Sequence, residues 1–280
     1  MEFSISYSIE NKYENPVTKS FFQILAIPAV YVNQNISELD IKCSLKSTEY
    51  FAKNSFGFNV LQYTRQEPID AFSFHLDVKV KVKHQNPFNF IPWPPQEELQ
   101  SLSSDAFKLE HFLFLRPTPL TDIPKEAAEG FISFKNEMGV LNFLRELNQK
   151  VNGAMQYTVD VTTTKTAALE AFCLEKGVCQ DYTHIFISIA RQFGIPCRYV
   201  SGYMNPGFSH IGTSQTHAWA EAFIPHVGWI GFDPTNNLLV NHHYIKIAHG
   251  TDYNDCSPIK GIIQTVGEQK HTHKVTVINQ

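Results

Sequence analysis

The hydrophobic period changes twice along this chain, and each change limits what the segment can fold into. Phe74, Leu76, Val78, Val80 and Val82 alternate with His75, Asp77, Lys79, Lys81 and Lys83, and Phe3, Ile5, Tyr7 and Ile9 alternate with serines and Glu10. A period of two places every apolar side chain of a strand on one face, so the first part of the chain reads as β structure that must bury that face. A proline-rich stretch follows, with Pro87, Pro92, Pro94 and Pro95, and a second cluster stands at Arg116-Pro117-Thr118-Pro119. Beyond it Val140, Leu141, Leu144 and Leu147 fall at helical spacing. A second helix is expected from about Thr166 through Leu174, with Gly177 placed to end it. A third carries Tyr182, Phe186, Ile189, Ala190 and Phe193 on one side and stops at Gly194-Ile195-Pro196. From Arg198 onward the pattern returns to strands. The expectation is an α+β chain: a β-rich, β-sandwich-like N-terminal domain over residues 1–115, then an α+β domain over 116–280.

Composition excludes several function classes. The 280 residues are 43% hydrophobic, enough for a sizeable core. The 23 basic and 27 acidic side chains are mixed along the chain, with no basic patch to follow phosphates, so nucleic acid is not an expected partner. No apolar run is long enough to cross a membrane as a helix. The opening Met1-Glu2-Phe3-Ser4-Ile5-Ser6-Tyr7 lacks the basic start and apolar block of a secretory signal, which points to the cytoplasm. The five cysteines, at 43, 173, 179, 197 and 256, are odd in number and irregular in spacing, which argues against a disulfide framework and for at least one free thiol. Cys173, Cys179 and Cys197 do not have zinc-ligand spacing, and His271 and His273, two apart on an alternating strand, read as one face of a sheet edge.

Cys179 is the residue with the strongest chemical context. It opens the third helix, where unpaired N–H groups and the helix dipole favour a thiolate, and its own N–H is available as an oxyanion donor. Gly177 lets the backbone turn into that helix. Taken alone, Cys179 is a small buried hydrophobe, His217 an ordinary histidine and Asp233 an ordinary turn residue before Pro234. Their joint placement decides otherwise. His217 starts the strand to Ile224, Pro225 to Gly228 form a turn, and Trp229 to Asp233 return as a hairpin, which brings the carboxylate toward the imidazole. A turn centred on 226 and 227 leaves Asp233 about three positions from the site facing His217, so a bulge or shifted turn is required. Asp181 and Gln180 beside the nucleophile are polar first-turn residues, and His184 on the same helix reads as packed or hydrogen-bonded.

Four blocks in order, Gly177-Val178-Cys179-Gln180-Asp181-Tyr182, Gly194-Ile195-Pro196-Cys197-Arg198-Tyr199-Val200-Ser201-Gly202-Tyr203, Thr216-His217-Ala218-Trp219-Ala220-Glu221 and Gly228-Trp229-Ile230-Gly231-Phe232-Asp233-Pro234-Thr235-Asn236, resemble the bacterial transglutaminase-like superfamily. The likeness runs from about residue 120 to the C-terminus, and the β-rich first part resembles the region that often accompanies this core. The resemblance implies a papain-like core in which Cys179 is nucleophile, His217 base and acid, and Asp233 the orienting carboxylate, acting on amide bonds of peptides or proteins without cofactor or metal. It implies a hydrolase or acyl transferase. No residue aligns with the indole donor of the animal transglutaminases and no Asp-x-Asp-x-Asp-Gly calcium loop is present, which favours hydrolysis over transamidation. Tyr203 is a candidate second oxyanion donor. The competing expectation is a binding or scaffold module that kept the fold and lost turnover. Oligomeric state and the role of the N-terminal part are not set by the sequence.

Overall fold

The computed structural model describes residues 1–45, 48–84, 86, 91, 93–135, 137–205 and 216–279. It is a mixed α/β chain. Six strands come first: β1 (Glu2–Val17), β2 (Lys19–Ile24), β3 (Gln34–Cys43), β4 (Thr48–Lys53), β5 (Asn59–Arg65) and β6 (Ile69–Val82). The alternation read from the sequence is the observed burial: Phe3, Ile5, Tyr7 and Ile9 of β1 and Phe72, Phe74, Leu76, Val78, Val80 and Val82 of β6 are all buried. β1 and β6 pair antiparallel with Ile5 opposite Val78 and Tyr7 opposite Leu76, so both apolar stripes share one face.

Helices occupy the middle: α1 (Pro95–Ser103), α2 (Asp105–Glu110), α3 (Phe112–Leu115), α4 (Lys125–Phe131) and α5 (Val140–Ala154). The buried Glu98 of α1 accepts the Val140 N–H at 2.7 Å, which satisfies an otherwise unpaired donor at the start of α5. The two-residue strand β7 (Gln156–Tyr157) pairs in parallel with β8 (Lys176–Gly177), and α6 (Ala168–Leu174) lies between them. α6 ends at Glu175, held left-handed at φ 53°, two residues before the glycine expected to end it. Gly177 instead sits where a Cβ would collide with the Asp181 carboxylate, a close approach that only glycine allows.

α7 (Cys179–Gln192) is the central helix, and every residue from Gln180 to Arg191 is buried. It packs on a five-stranded antiparallel sheet of order β12-β11-β10-β9-β13, built from β9 (Cys197–Met204), β10 (His217–Ile224), β11 (Gly228–Asp233), β12 (Leu238–Leu239) and β13 (Tyr244–Gly250). Ala218, Ala220 and Ala222 line one face of β10, small side chains that let the helix come close, and Phe186 of α7 stacks on Phe232 of β11. Arg191 near the end of α7 is buried, and among the described residues its hydrogen bonds go to no carboxylate. Its guanidinium donates to the carbonyls of Phe114, Arg116, Cys197 and Thr251 and to Thr121 Oγ1, tying the second proline cluster onto the helix. Trp93 stacks on His226, while Pro87, Phe88, Phe90 and Pro92 of the first proline stretch lie outside the described residues.

After α8 (Tyr253–Cys256) the chain returns to the beginning. β14 (Ile259–Gln264) pairs with β2, and β15 (Gln269–Asn279) pairs with β1 from Phe3↔Asn279 to Tyr13↔Gln269. The sheets are thus β15-β1-β6-β3 and β14-β2-β5-β4, facing each other through Phe22 stacked on Phe72 and Tyr63 edge-on to Phe74. A division of the sequence after residue 115 assigns β14 and β15 to the second part, whereas their hydrogen bonds run to the first.

Val275 and Val277 are the two residues of β15 buried in that core. A charge at 277 would be buried without a partner, so Val277→Asp is expected to lower stability by about 3 kcal/mol or more, read as the urea midpoint. An unchanged midpoint would mean that β15 does not close the sheet.

Candidate active site

The hairpin of β10 and β11 solves the register problem with one extra turn residue. Ile224 faces Gly228 and Ala220 faces Phe232, with a three-residue turn between the strands, His226 at φ 65° and Gly228 at φ 99°. Continuing that register sets Asp233 opposite Trp219, two places from His217. An even offset keeps both side chains on one face of the sheet, and a diagonal neighbour is within reach of long side chains; an offset of three would have put them on opposite faces. His217 Nε2 meets Asp233 Oδ2 at 2.8 Å, and both side chains are fully buried.

Asp233 is held by more than the histidine. Its Oδ1 accepts the N–H groups of Thr235 at 3.0 Å and Asn236 at 3.2 Å, and its Oδ2 accepts Asn236 Nδ2 and the Tyr244 hydroxyl, each at 2.8 Å. Burial works to raise this carboxyl, but the His217 charge and these hydrogen bonds bring it below the usual carboxylate range. Burial also works against a charged imidazole, yet the Asp233 charge and hydrogen bond, followed by Cys179, hold His217 well above the ordinary imidazole range. Both shifts favour the charged pair, with Nε2–H donated to Asp233. Nδ1 is buried and has no formed hydrogen bond, which leaves it as the nitrogen available to the Cys179 sulfur. Such contacts are often long before substrate binds.

Cys179 is half-buried and is the first residue of α7, so its N–H has no acceptor within the helix. Asp181 keeps the approach to that helix in place: its Oδ2 accepts the Val178 N–H and the Thr162 hydroxyl, both at 2.7 Å. Asp181 and Gln180 are buried and bonded to the protein, Gln180 through the Thr164 carbonyl. His184 accepts the Tyr253 N–H at 3.2 Å, and burial lowers it to about 3, a neutral packed histidine. The structure therefore brings Cys179, His217 and Asp233 to one end of the sheet and helix.

Tyr203 is elsewhere. It is fully buried, its hydroxyl donates to the Ala26 carbonyl at 2.7 Å, and its ring meets Tyr7 edge-on, so it joins the β-rich part to β9 and has no free donor for an oxyanion. Tyr244 and Asn236 are the site residues that sequence reasoning passed over. Asn236 had a local signal, since Asp-Pro-Thr-Asn favours an Asx-type turn. Tyr244 had none: it reaches Asp233 because β13 crosses to the far edge of the sheet. Cys173 is exposed on α6, Cys197 and Cys256 are buried, and burial pushes the Cys197 thiol up to about 12. Among the described residues no group of three or more His, Cys, Asp or Glu side chains is arranged to hold a metal ion. Among them, too, no helix is long and apolar enough to cross a membrane.

Residues 127–234 match the sequence model of the transglutaminase-like superfamily, a span that holds all three residues. The chain is 28% identical to an uncharacterized protein of Mycobacterium tuberculosis over 284 residues, covering 95% of this chain and 88% of the relative. Over 87 residues, 28% of this chain and 13% of the relative, it is 32% identical to a protein-glutamine gamma-glutamyltransferase of Pseudomonas aeruginosa. The crystal structure of a candidate cysteine protease from Cytophaga hutchinsonii superimposes with a TM-score of 0.79 at 21% identity, covering 99% of this chain and 90% of that one, so the two share a fold.

The His217–Asp233 pair predicts a pH window for stability. His217 is raised in the folded state, so its contribution is complete below about 6.5 and is lost as pH rises through the elevated folded value. Asp233 is lowered, so its contribution is present above about 3.8 and is lost as pH falls through the depressed value. The stability difference between wild type and Asp233→Asn should reach about 3 kcal/mol between those limits and shrink on both sides, measured by urea unfolding across pH. A difference that does not vary with pH would rule out the ion pair.

Proposed function

Residues 127–234 place this chain in the transglutaminase-like superfamily, and from that premise we propose that it is a cysteine hydrolase of peptide or protein amide bonds working through a thioester. The observation that carries the reading is the buried His217 ring, fixed by Asp233 on Nε2 and left with Nδ1 for the Cys179 sulfur at a helix start. In the proposed reaction the Cys179 thiolate attacks the amide carbonyl carbon and forms the C–S bond. The developing oxyanion is met by the Cys179 N–H. As the C–N bond breaks, His217 gives the proton on Nδ1 to the departing amine. Water then attacks the thioester, His217 takes one of its protons, and the acid leaves with the thiolate restored. Asp233 keeps the ring oriented throughout and never carries the proton.

A primary amine in place of that water would give a transferase, the activity named for the P. aeruginosa relative. Hydrolysis is the reading favoured here because no indole donor aligns in the sequence and the Tyr203 hydroxyl is committed to Ala26. The two facing sheets closed by β14 and β15 are read as a β-sandwich supporting the catalytic part.

Cysteine labelling separates activation from mere access. Cys173 is the exposed thiol and Cys179 only half-buried, so access alone makes Cys173 the faster to react with iodoacetamide at pH 7. The proposal expects the reverse, with Cys179 ahead by on the order of tenfold and that lead abolished in His217→Ala, read by peptide mass spectrometry. With peptide anilides and millimolar primary amine present, the acid should be the main product, and Cys179→Ala should form none. Labelling that follows exposure would remove the nucleophile, and an amine adduct as main product would make the enzyme a transferase.

A further inference from the structure

β10 carries a second cluster of charge on the face that bears His217. Glu221 accepts Arg198 Nε at 2.6 Å and Lys246 Nζ at 2.9 and 2.6 Å, and burial notwithstanding, the two cations hold its carboxyl down to about 2. His249 accepts Arg198 Nη1 at 3.3 Å, and burial next to Lys246 and Arg198 lowers it to about 3, so it adds no charge. Two cations thus face one carboxylate whose oxygens they already share. These groups line an open cavity of about 380 Å³ between the segment Ala29 to Asn33 and the sheet, walled by Tyr31, Phe58, Trp219 and Trp229. That is within the size range of small-molecule sites.

The lining leaves donors without acceptors. Among the described residues Arg198 Nη2 has no hydrogen-bond partner, Lys246 Nζ bonds only to Glu221, and the indole N–H of Trp219, a residue 1% exposed, is buried and unpaired. A buried N–H without an acceptor and an uncompensated cation both cost free energy that an anionic acceptor would offset. Arg198 is stacked 4.0 Å above Trp229, which holds the guanidinium plane at the cavity wall. Tyr244 is part of the same wall and donates to Asp233, so an occupant lies one side chain from the His217–Asp233 pair.

We propose that this cavity is a binding site for a small organic carboxylate with a flat apolar body, its carboxylate on Arg198 and Lys246 and its body against the aromatic walls. The site is separate from the proposed reaction, and its test does not read turnover.

Phenylacetate and its uncharged isostere phenylacetamide are titrated into the whole protein at pH 6, followed by tryptophan fluorescence and thermal unfolding. Two of the three tryptophans line the cavity. Phenylacetate should quench and raise the Tm, at least tenfold more tightly than the amide, and Trp229→Phe should reduce the quench. Glu221→Gln removes the resident anion; it should lower the Tm of the free protein and tighten phenylacetate about tenfold, with the ligand restoring the Tm. Equal binding of acid and amide, no binding of either at millimolar concentration, or a folded Glu221→Gln protein that binds no tighter would each overturn the proposal. If Glu221→Gln does not fold, the comparison of acid with amide on wild type decides alone.

Discussion

An imidazolium and a carboxylate buried together are stable only if each is fully oriented and the carboxylate's remaining lone pairs are met. Much of the structure around the site answers to that demand. Asp233 takes hydrogen bonds from His217, Tyr244, Asn236 and two backbone N–H groups, which come from β10, β13 and the turn after β11. Strand order, hairpin register and turn geometry must all hold at once for those groups to converge. The three-residue turn with His226 left-handed is the smallest of these features, yet it decides whether His217 and Asp233 share a face.

How much of this was legible in the sequence depends on how local the cause is. The buried faces of β1 and β6 and the extent of α7 follow from hydrophobic period alone, and the position of Cys179 at the helix start follows from the residues around it. Period two says which residues share a face but not which strand lies alongside, so the pairing of β15 with β1, more than 250 residues apart, had no local signal. The same gap hides the place of Tyr203: the sequence offers it as a candidate oxyanion donor, while its hydroxyl is spent on Ala26 at the junction with the β-rich part. Gly177 is placed by the sequence to stop a helix, but its requirement comes from a side chain four residues later, which packs where a Cβ would stand.

β10 keeps its packing residues and its candidate site residues on opposite faces. Its alanines at 218, 220 and 222 face α7, and small side chains there let the helix lie close enough for its first residue to address the end of the strand. The opposite face is free to carry His217, Trp219 and Glu221, large or charged groups that need partners rather than space. Gly202 on β9 belongs to the same logic: a Cβ there would strike the Trp219 indole and the Ile245 carbonyl, so the close fit of β9 against both neighbours depends on its absence.

The β-rich part is joined to the sheet at the strands that hold the site. Gln34, 1% exposed, donates through Nε2 to the Lys246 and Ala29 carbonyls, each at 2.7 Å, and accepts the Lys246 N–H at 2.9 Å. A side-chain amide thereby supplies the hydrogen bonds of a missing strand along the edge of β13, next to the irregularity between Lys246 and Ala248. Tyr203 fastens β9 to Ala26 on the same side. Lys246 carries this junction through its backbone and the Glu221 cluster through its side chain, while Tyr244, two residues earlier and so on the same face, carries Asp233. The attachment of the two facing sheets and the orientation of the candidate triad are therefore consequences of one short strand, and a displacement of β13 would reach both.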